Sequence, residues 1–320
     1  MRRRAAACLL ALLLAPVARG AEGLRDGERR LPLGGVAQWV RVAGARHLTT
    51  PLVVVHGGPG GNHWVFERTV GRELERFATV VYWEQRGSGR SDAPADPGAY
   101  SVEILVRDLE ALRAALGAPR ISLLGYSFGG TIAAEYALAF PDRVERLVLQ
   151  APAHFDAEWM GLVQLHGFLA VARGELRERV AALLSETGRP AFERSQRAWD
   201  AADAETVDRL LFEDPSAARR NREMWRESGL TNTGALAKAV FARPPSPLLP
   251  RAASIRAPTL VLVGRHDRNV GVDACRDLAD VVPHGWLRVF ERSAHFPDLE
   301  EPAAWTRAVR EFLAGGAKPR

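Results

Sequence analysis

The chain has 320 residues, 47% of them apolar and 25% charged, which suits a globular fold with a sizeable core and excludes a wholly disordered chain. Two cysteines are too few for a disulfide scaffold, and the 29 glycines and 20 prolines follow no collagen-like period. The formal charge of +5 does not signal nucleic-acid binding: Arg2, Arg3, Arg4 and Arg19 lie in an acid-free leader whose removal leaves +1, and the other arginines are interleaved with acids.

Residues 1–20 are expected to form a cleaved signal peptide. Arg2-Arg3-Arg4 gives a positive start, residues 5–15 an almost unbroken apolar run, and Ala18-Arg19-Gly20 small residues for a peptidase. The run is shorter than the roughly 20 residues a spanning helix needs, so no stable membrane insertion is expected after cleavage. Cys8 precedes the Leu-rich stretch instead of ending it, which argues against a lipoprotein. Cleavage after Gly20 leaves Cys275 alone, with no internal disulfide. Export to a bacterial periplasm or beyond is the expectation.

From residue 36 the chain alternates strands and helices. Residues 36–42 read as a strand, and a branched run over 51–55 ends in His56-Gly57-Gly58-Pro59-Gly60. Residues 79–83 form a buried strand ending in Glu84-Gln85-Arg86-Gly87-Ser88-Gly89-Arg90-Ser91. Over 101–116, Val102, Leu105, Val106, Leu109, Leu112 and Leu116 share one helical face, with Ser101 as N-cap, Glu103 near the positive end and Gly117 as stop. A strand at 121–124, a helix at 131–138 and a strand at 146–150 follow. Residues 258–263 and 286–290 give the last strands, and 302–313 the closing helix.

Short continuous runs of Val, Leu and Ile alternating with helices imply a mostly parallel sheet with helices on both faces. Right-handed crossovers gather the strands' C-terminal loops along one edge, where such sheets bind ligands. Residues 154–250 interrupt the alternation with helical patterns, three tryptophans (Trp159, Trp199, Trp225) and a closing proline cluster. The expected organisation is a core of residues 21–153 and 251–320, with 154–250 as a helical cap.

Three side chains carry the chemistry. Gly125-Tyr126-Ser127-Phe128-Gly129-Gly130 follows a strand and opens a helix, so the Ser127 hydroxyl stands on a tight turn at a helix N-terminus. A serine hydroxyl needs a base within hydrogen-bond reach. His295, past the last strand, is the expected base, and Asp267, past the strand before it, the acid that orients it. Asp273 is a competitor for that role. The oxyanion donors are expected to be the backbone N–H groups of Phe128 and Gly58. Neither metal nor other cofactor is expected: no H-E-x-x-H, paired C-x-x-C or P-loop lysine occurs.

Together the His56–Gly61, Gln85–Ser91 and Gly125–Gly130 motifs and the Asp267 and His295 turns resemble the α/β-hydrolase fold. Within it they are most similar to the proline iminopeptidase family of serine aminopeptidases. The resemblance covers residues 34–153 and 251–314. It implies removal of an N-terminal residue, preferentially proline, from short peptides without a metal, the substrate amine being held by cap acids. The chain departs from that family at three places. Glu84 stands where Asp is usual, Phe128 follows the nucleophile where Trp is common, and Ala198-Trp199-Asp200-Ala201-Ala202-Asp203 lacks a second Trp.

Asp203 is the amine anchor the resemblance singles out; Glu158, Glu213, Glu223 and Glu227 are alternatives. Three readings follow: an exported aminopeptidase, an esterase or lactonase acting on an uncharged acyl substrate, and a non-catalytic binding protein on a hydrolase scaffold. A carboxylate in the cap facing Ser127 separates the first two, since only a free-amine substrate calls for one. The partner is in any case a small molecule or short peptide, not nucleic acid.

Overall fold

The computed structural model describes residues 24–230 and 232–316; the expected signal segment lies outside them. Among the described residues eight strands make one sheet: β1 (Gly27–Leu33), β2 (Val36–Ala43), β3 (Leu52–Val55), β4 (Val80–Trp83), β5 (Ile121–Tyr126), β6 (Val144–Gln150), β7 (Thr259–Gly264) and β8 (Gly285–Phe290). Their spatial order is β1-β2-β4-β3-β5-β6-β7-β8. The β1–β2 and β2–β4 pairs are antiparallel, and every pair from β4 to β8 is parallel. The fold is an α/β-hydrolase sheet.

Every residue of β3, β4 and β7 is buried, which is why these strands read as unbroken apolar runs. One face packs on helices Val102–Ala115, Phe128–Ala139 and Val272–Val281 through Leu105, Leu109, Ile132 and Leu278. The other packs on Phe66, Leu74, Trp305 and Phe312, the last two from helix Pro302–Leu313. Full burial of side chains such as Leu105 and Leu109 contributes on the order of 1.5–3 kcal/mol each. Ser101 caps its helix as expected, its Oγ accepting from the Ile104 N–H at 3.3 Å.

Three elements were not expected. β1 pairs with β2 around Gly34-Gly35, both at positive φ. Between β3 and β4 the chain forms Trp64–Phe66, a π-helical turn Glu67–Gly71 and Arg72–Leu74. Helix Val272–Val281 joins β7 to β8. The helix after Ser127 also starts earlier than expected, at Phe128, directly behind the serine.

Between β6 and β7 the described residues form six helices, Ala157–Val171, Gly174–Ser185, Ala191–Ala201, Ala204–Leu211, Pro215–Ser228 and Ala235–Ala242. Leu165, Phe168, Val180, Leu183, Ala198 and Leu210 give this insertion its own small apolar core. Its two ends meet where the Leu248 N–H donates to the His154 carbonyl at 3.0 Å. No described helix is long and apolar enough to cross a membrane.

Candidate active site

Strand order reverses at β3, since β4 lies on one side of it and β5 on the other. Such a switch point opens a crevice beyond the strand ends. Val55 pairs with Gly125, so the loops leaving β3 and β5 start side by side. They are the His56–Gly61 loop and the turn at Ser127.

Ser127 is held at φ 53°, ψ −125°, a conformation that non-glycine residues rarely adopt and that occurs where surroundings over-determine it. Those surroundings are visible. Ser127 N–H donates to the Gln150 carbonyl at 2.8 Å, and its own carbonyl accepts from Gly130 N–H at 2.9 Å and Ala153 N–H at 3.2 Å. A Cβ on Gly129 would lie 2.0 Å from the Val55 carbonyl oxygen, so glycine is what lets this turn close onto β3.

Asp267 and His295 sit on the loops after β7 and β8, which are tied together by the His266 N–H donating to the Ser293 carbonyl at 2.9 Å. Both are buried. His295 Nδ1 lies 2.9 Å from Asp267 Oδ2, while Asp267 Oδ1 accepts from Asn269 N–H at 2.8 Å and Val270 N–H at 2.9 Å. Burial pushes the Asp267 carboxyl upward, but His295 and the two backbone donors outweigh it and hold it below the usual aspartate value. The competitor Asp273 is exposed and paired with Arg276 at 2.6 Å.

The His56–Gly61 loop rests on buried polar contacts. His56 Nε2 accepts from Gln85 N–H at 3.1 Å, and Gln85 Nε2 donates to the His56 carbonyl at 2.8 Å. Burial lowers the His56 pKa and favours its neutral ring. Glu84 accepts from the Arg90 side chain at 2.6 Å and its backbone N–H at 2.6 Å. The longer acid therefore folds its own loop back. The Gly58–Pro59 peptide is cis.

A cavity of about 460 Å³ collects these pieces: Gly58, Ser127, Phe128 and His295 all line it, with Asp267 behind His295. The insertion supplies the opposite wall, including Gln164, Gln196, Asn221, Asn232, Phe192, Trp199 and Trp225. Asn232 Nδ2 also donates to the Pro59 carbonyl at 3.1 Å.

Asp203 is not brought to this site. It is exposed and caps helix Ala204–Leu211, its Oδ1 accepting from Thr206 N–H at 2.7 Å. An Asp before a helix is more readily used as a cap than as a ligand. Glu158 accepts from Ala191 N–H, Glu213 pairs with Arg268, and Glu223 and Glu227 are exposed; none of the four lines the cavity. Trp199 and Trp225 do line it, whereas Trp159 does not.

Among the cavity residues that escaped the sequence reading, two lie within a few positions of the triad candidates. Asp298, three positions past His295, is the one carboxylate among the described lining residues. It accepts from Gln150 Nε2 at 2.7 Å, and burial raises its pKa to about 6, against the lowering effect of that bond. Asn269, two positions past Asp267, places its Nδ2 3.4 Å from His295 Nε2. Their closeness to the triad candidates in sequence was the available signal.

A family model described as the alpha/beta hydrolase fold matches residues 50–302. The chain belongs to the α/β-hydrolase fold family. Among this hydrolase's curated relatives, a proline iminopeptidase of Lactiplantibacillus plantarum is 26% identical over 306 residues, covering 89% of this chain and 99% of its own. A 2-hydroxy-6-oxo-2,4-heptadienoate hydrolase of Pseudomonas putida is 30% identical over 295 residues, covering 89% and 96%. Among solved structures, a proline iminopeptidase-related protein of Thermus thermophilus superposes with a TM-score of 0.75 at 28% identity, covering 91% of this chain and 98% of that one. The relatives thus agree on the family and carry different substrates in their names.

Proposed function

We propose that this protein is a serine hydrolase working through an acyl-enzyme, with residues 154–250 as a cap over the site, and that its acyl substrate is uncharged where it meets that cap. Ser127 Oγ attacks the scissile carbonyl while His295 Nε2 takes its proton. The tetrahedral oxygen is stabilised by the backbone N–H groups of Phe128 and Gly58. His295 returns the proton to the leaving group, and water repeats the sequence to release the acid. Asp267 orients the imidazole and stabilises its cationic form.

The observation that carries the substrate class is the cap wall. It presents aromatic rings and carboxamides to Ser127 and, among the described residues, no carboxylate. A substrate ammonium desolvated against that wall would have no counterion on the cap side, which is unfavourable. Amides suit ester, lactone or ketone oxygens.

An aminopeptidase is the second reading, favoured by the Lactiplantibacillus relative matched over 99% of its length. In that case Asp298, on the core side, takes the amine in place of a cap acid.

The test uses three substrates with Ser127→Ala as the blank: an aryl ester of a short acid, a prolyl arylamide with its amine free, and the same amide N-acetylated. Ser127-dependent ester cleavage with both amides untouched supports the first reading. Cleavage of the free-amine amide alone establishes the second and makes Asp298→Asn the next variant.

A further inference from the structure

We propose that Asn269 is a positioning residue whose amide, oriented from the helical insertion through Gln164, holds Nε2 of His295 as a proton acceptor. This inference rests on the serine-hydrolase reading above and concerns how its base is prepared.

The contacts form one chain of fixed polarity. Trp199 Nε1–H, which can only donate, lies 3.2 Å from Gln164 Oε1. Ser195 Oγ lies 2.9 Å from the same oxygen. With its oxygen so occupied, Gln164 turns its amide nitrogen to Asn269, and Nε2 donates to Oδ1 at 2.9 Å. Asn269 then has only its own nitrogen left to face His295, and Nδ2 stands 3.4 Å from Nε2. The tryptophan at one end therefore decides the direction of every amide along the path. Across Asn269 the ring's Nε2 is asked to accept, while Nδ1 keeps its proton and donates it in a hydrogen bond to Asp267. That is the tautomer a general base needs.

The consequence is directional. When His295 has taken the proton from Ser127 Oγ, Nε2–H faces a second donor in Asn269 and is better placed to pass the proton to a leaving group than to keep it. The insertion contributes Gln164, Ser195 and Trp199, so how the insertion packs is felt at the base without any of the three touching it. The other charged or titratable groups around His295 are Asp267 on Nδ1, Asp298 in its own turn, and Glu300, whose carboxylate accepts the neighbouring Ala294 N–H at 2.7 Å. From the insertion, the Leu211 carbonyl accepts His295 N–H at 3.0 Å. The Cys275 thiol, its pKa pushed up by burial and by Asp267, stays neutral behind that carboxylate.

The experiment follows labelling of Ser127 by a fluorophosphonate against pH, which reads the base without a chosen substrate. Gln164→Met keeps the side-chain shape, adds no charge and leaves His295 untouched, yet frees Asn269 to present its oxygen to a protonated Nε2. The acid limb of the labelling rate should move to higher pH by roughly 0.5–1 unit. Asn269→Ala should move it in the same direction, and the double variant should match Asn269→Ala alone, because Gln164 acts through Asn269. A purely structural role for Gln164 would lower the rate at all pH values without moving the limb. A limb for Gln164→Met within about 0.2 unit of the wild type overturns the proposal.

Should the variants fail to fold, 15N NMR of histidine-labelled wild-type protein decides alone, with the signal assigned by its loss in His295→Gln. Asp267 by itself accounts for a proton on Nδ1, so the Nε2 signal decides: an unprotonated Nε2 shifted upfield as a hydrogen-bond acceptor supports the proposal, and a protonated or unshifted Nε2 overturns it. Wild-type protein that does not label at Ser127 overturns the serine-hydrolase reading itself, a result distinct from an unmoved limb.

Discussion

Asp267 divides its two oxygens between two structures, with Oδ2 on His295 Nδ1 at 2.9 Å and Oδ1 on the N–H groups of Asn269 and Val270. The carboxylate thus both orients the ring and folds the turn after β7. Asp267→Asn separates these duties. Its carbonyl oxygen can keep the turn, but its amide then faces Nδ1 and forces the proton onto Nε2. We expect an unchanged melting temperature to within a few degrees and a loss of roughly 10²–10⁴ in rate on the aryl ester. Ser127→Ala and His295→Ala should lose more. Asp267→Ala should lose the turn as well, visible as a lower melting temperature.

The core of the molecule was legible because its local patterns agree with its fold. The fully buried runs of β3, β4 and β7, the capped helix after Ser101 and the glycines around Ser127 each announce one conformation. β1 escaped because it is an edge strand with mostly exposed positions, including Glu28 and Arg30, and reads like a polar lead-in. The helical run 64–74 escaped because its π-turn at Glu67–Gly71 breaks the 3.6-residue period. Asp203 looked like a substrate ligand because local sequence does not distinguish a cap from a cavity wall. Asn269 and Gln164 lie 105 positions apart and meet only through the tertiary fold.

Asp298 predicts a pH-dependent stability. Burial raises its pKa from an ordinary aspartate value to about 6 in the folded state. The folded protein therefore holds this proton more tightly than the unfolded chain does. The associated stability is fully present below about pH 4 and is lost as pH rises through about 6, amounting to roughly 2–3 kcal/mol. Asp298→Asn stays neutral throughout and can still accept from Gln150. Its melting temperature should match the wild type at pH 4 and exceed it at pH 8. An equal difference at both pH values would show that the carboxyl does not titrate in that interval.

Arg86 and Asp108 form a bidentate pair, Nε to Oδ2 and one terminal nitrogen to Oδ1, each at 2.7 Å, with side chains only 4% and 1% exposed. Gln38 Nε2 adds a third donor at 2.7 Å. The pair fastens the loop after β4 to helix Val102–Ala115 and to β2. Asp108→Ala leaves the guanidinium buried without a counterion and should destabilise by about 3–5 kcal/mol, read as a lower urea midpoint. Removing both charges with Arg86→Met and Asp108→Leu should recover most of that loss. If the double variant is as unstable as the single, the loop depends on the hydrogen bonds themselves and not on charge compensation.

Gly129 sets how closely the turn at Ser127 can approach the end of β3 and the His56–Gly61 loop. A Cβ there would meet the Val55 carbonyl oxygen at 2.0 Å and that of His56 at 2.6 Å, both backbone atoms that cannot rotate away. Gly129→Ala must therefore push the helix after Ser127 away from β3, at a cost near the upper end of the ~1–3 kcal/mol typical of overpacking. In the proposed mechanism the Phe128 and Gly58 N–H groups converge on one oxygen, and the same displacement is expected to widen the gap between them. Protein that remains folded by circular dichroism should consequently show a larger fractional loss in ester hydrolysis than in fluorescent-ligand binding to the cavity. Equal losses in both would mean the substitution acts through global destabilisation alone, and the two donors do not depend on this contact for their alignment.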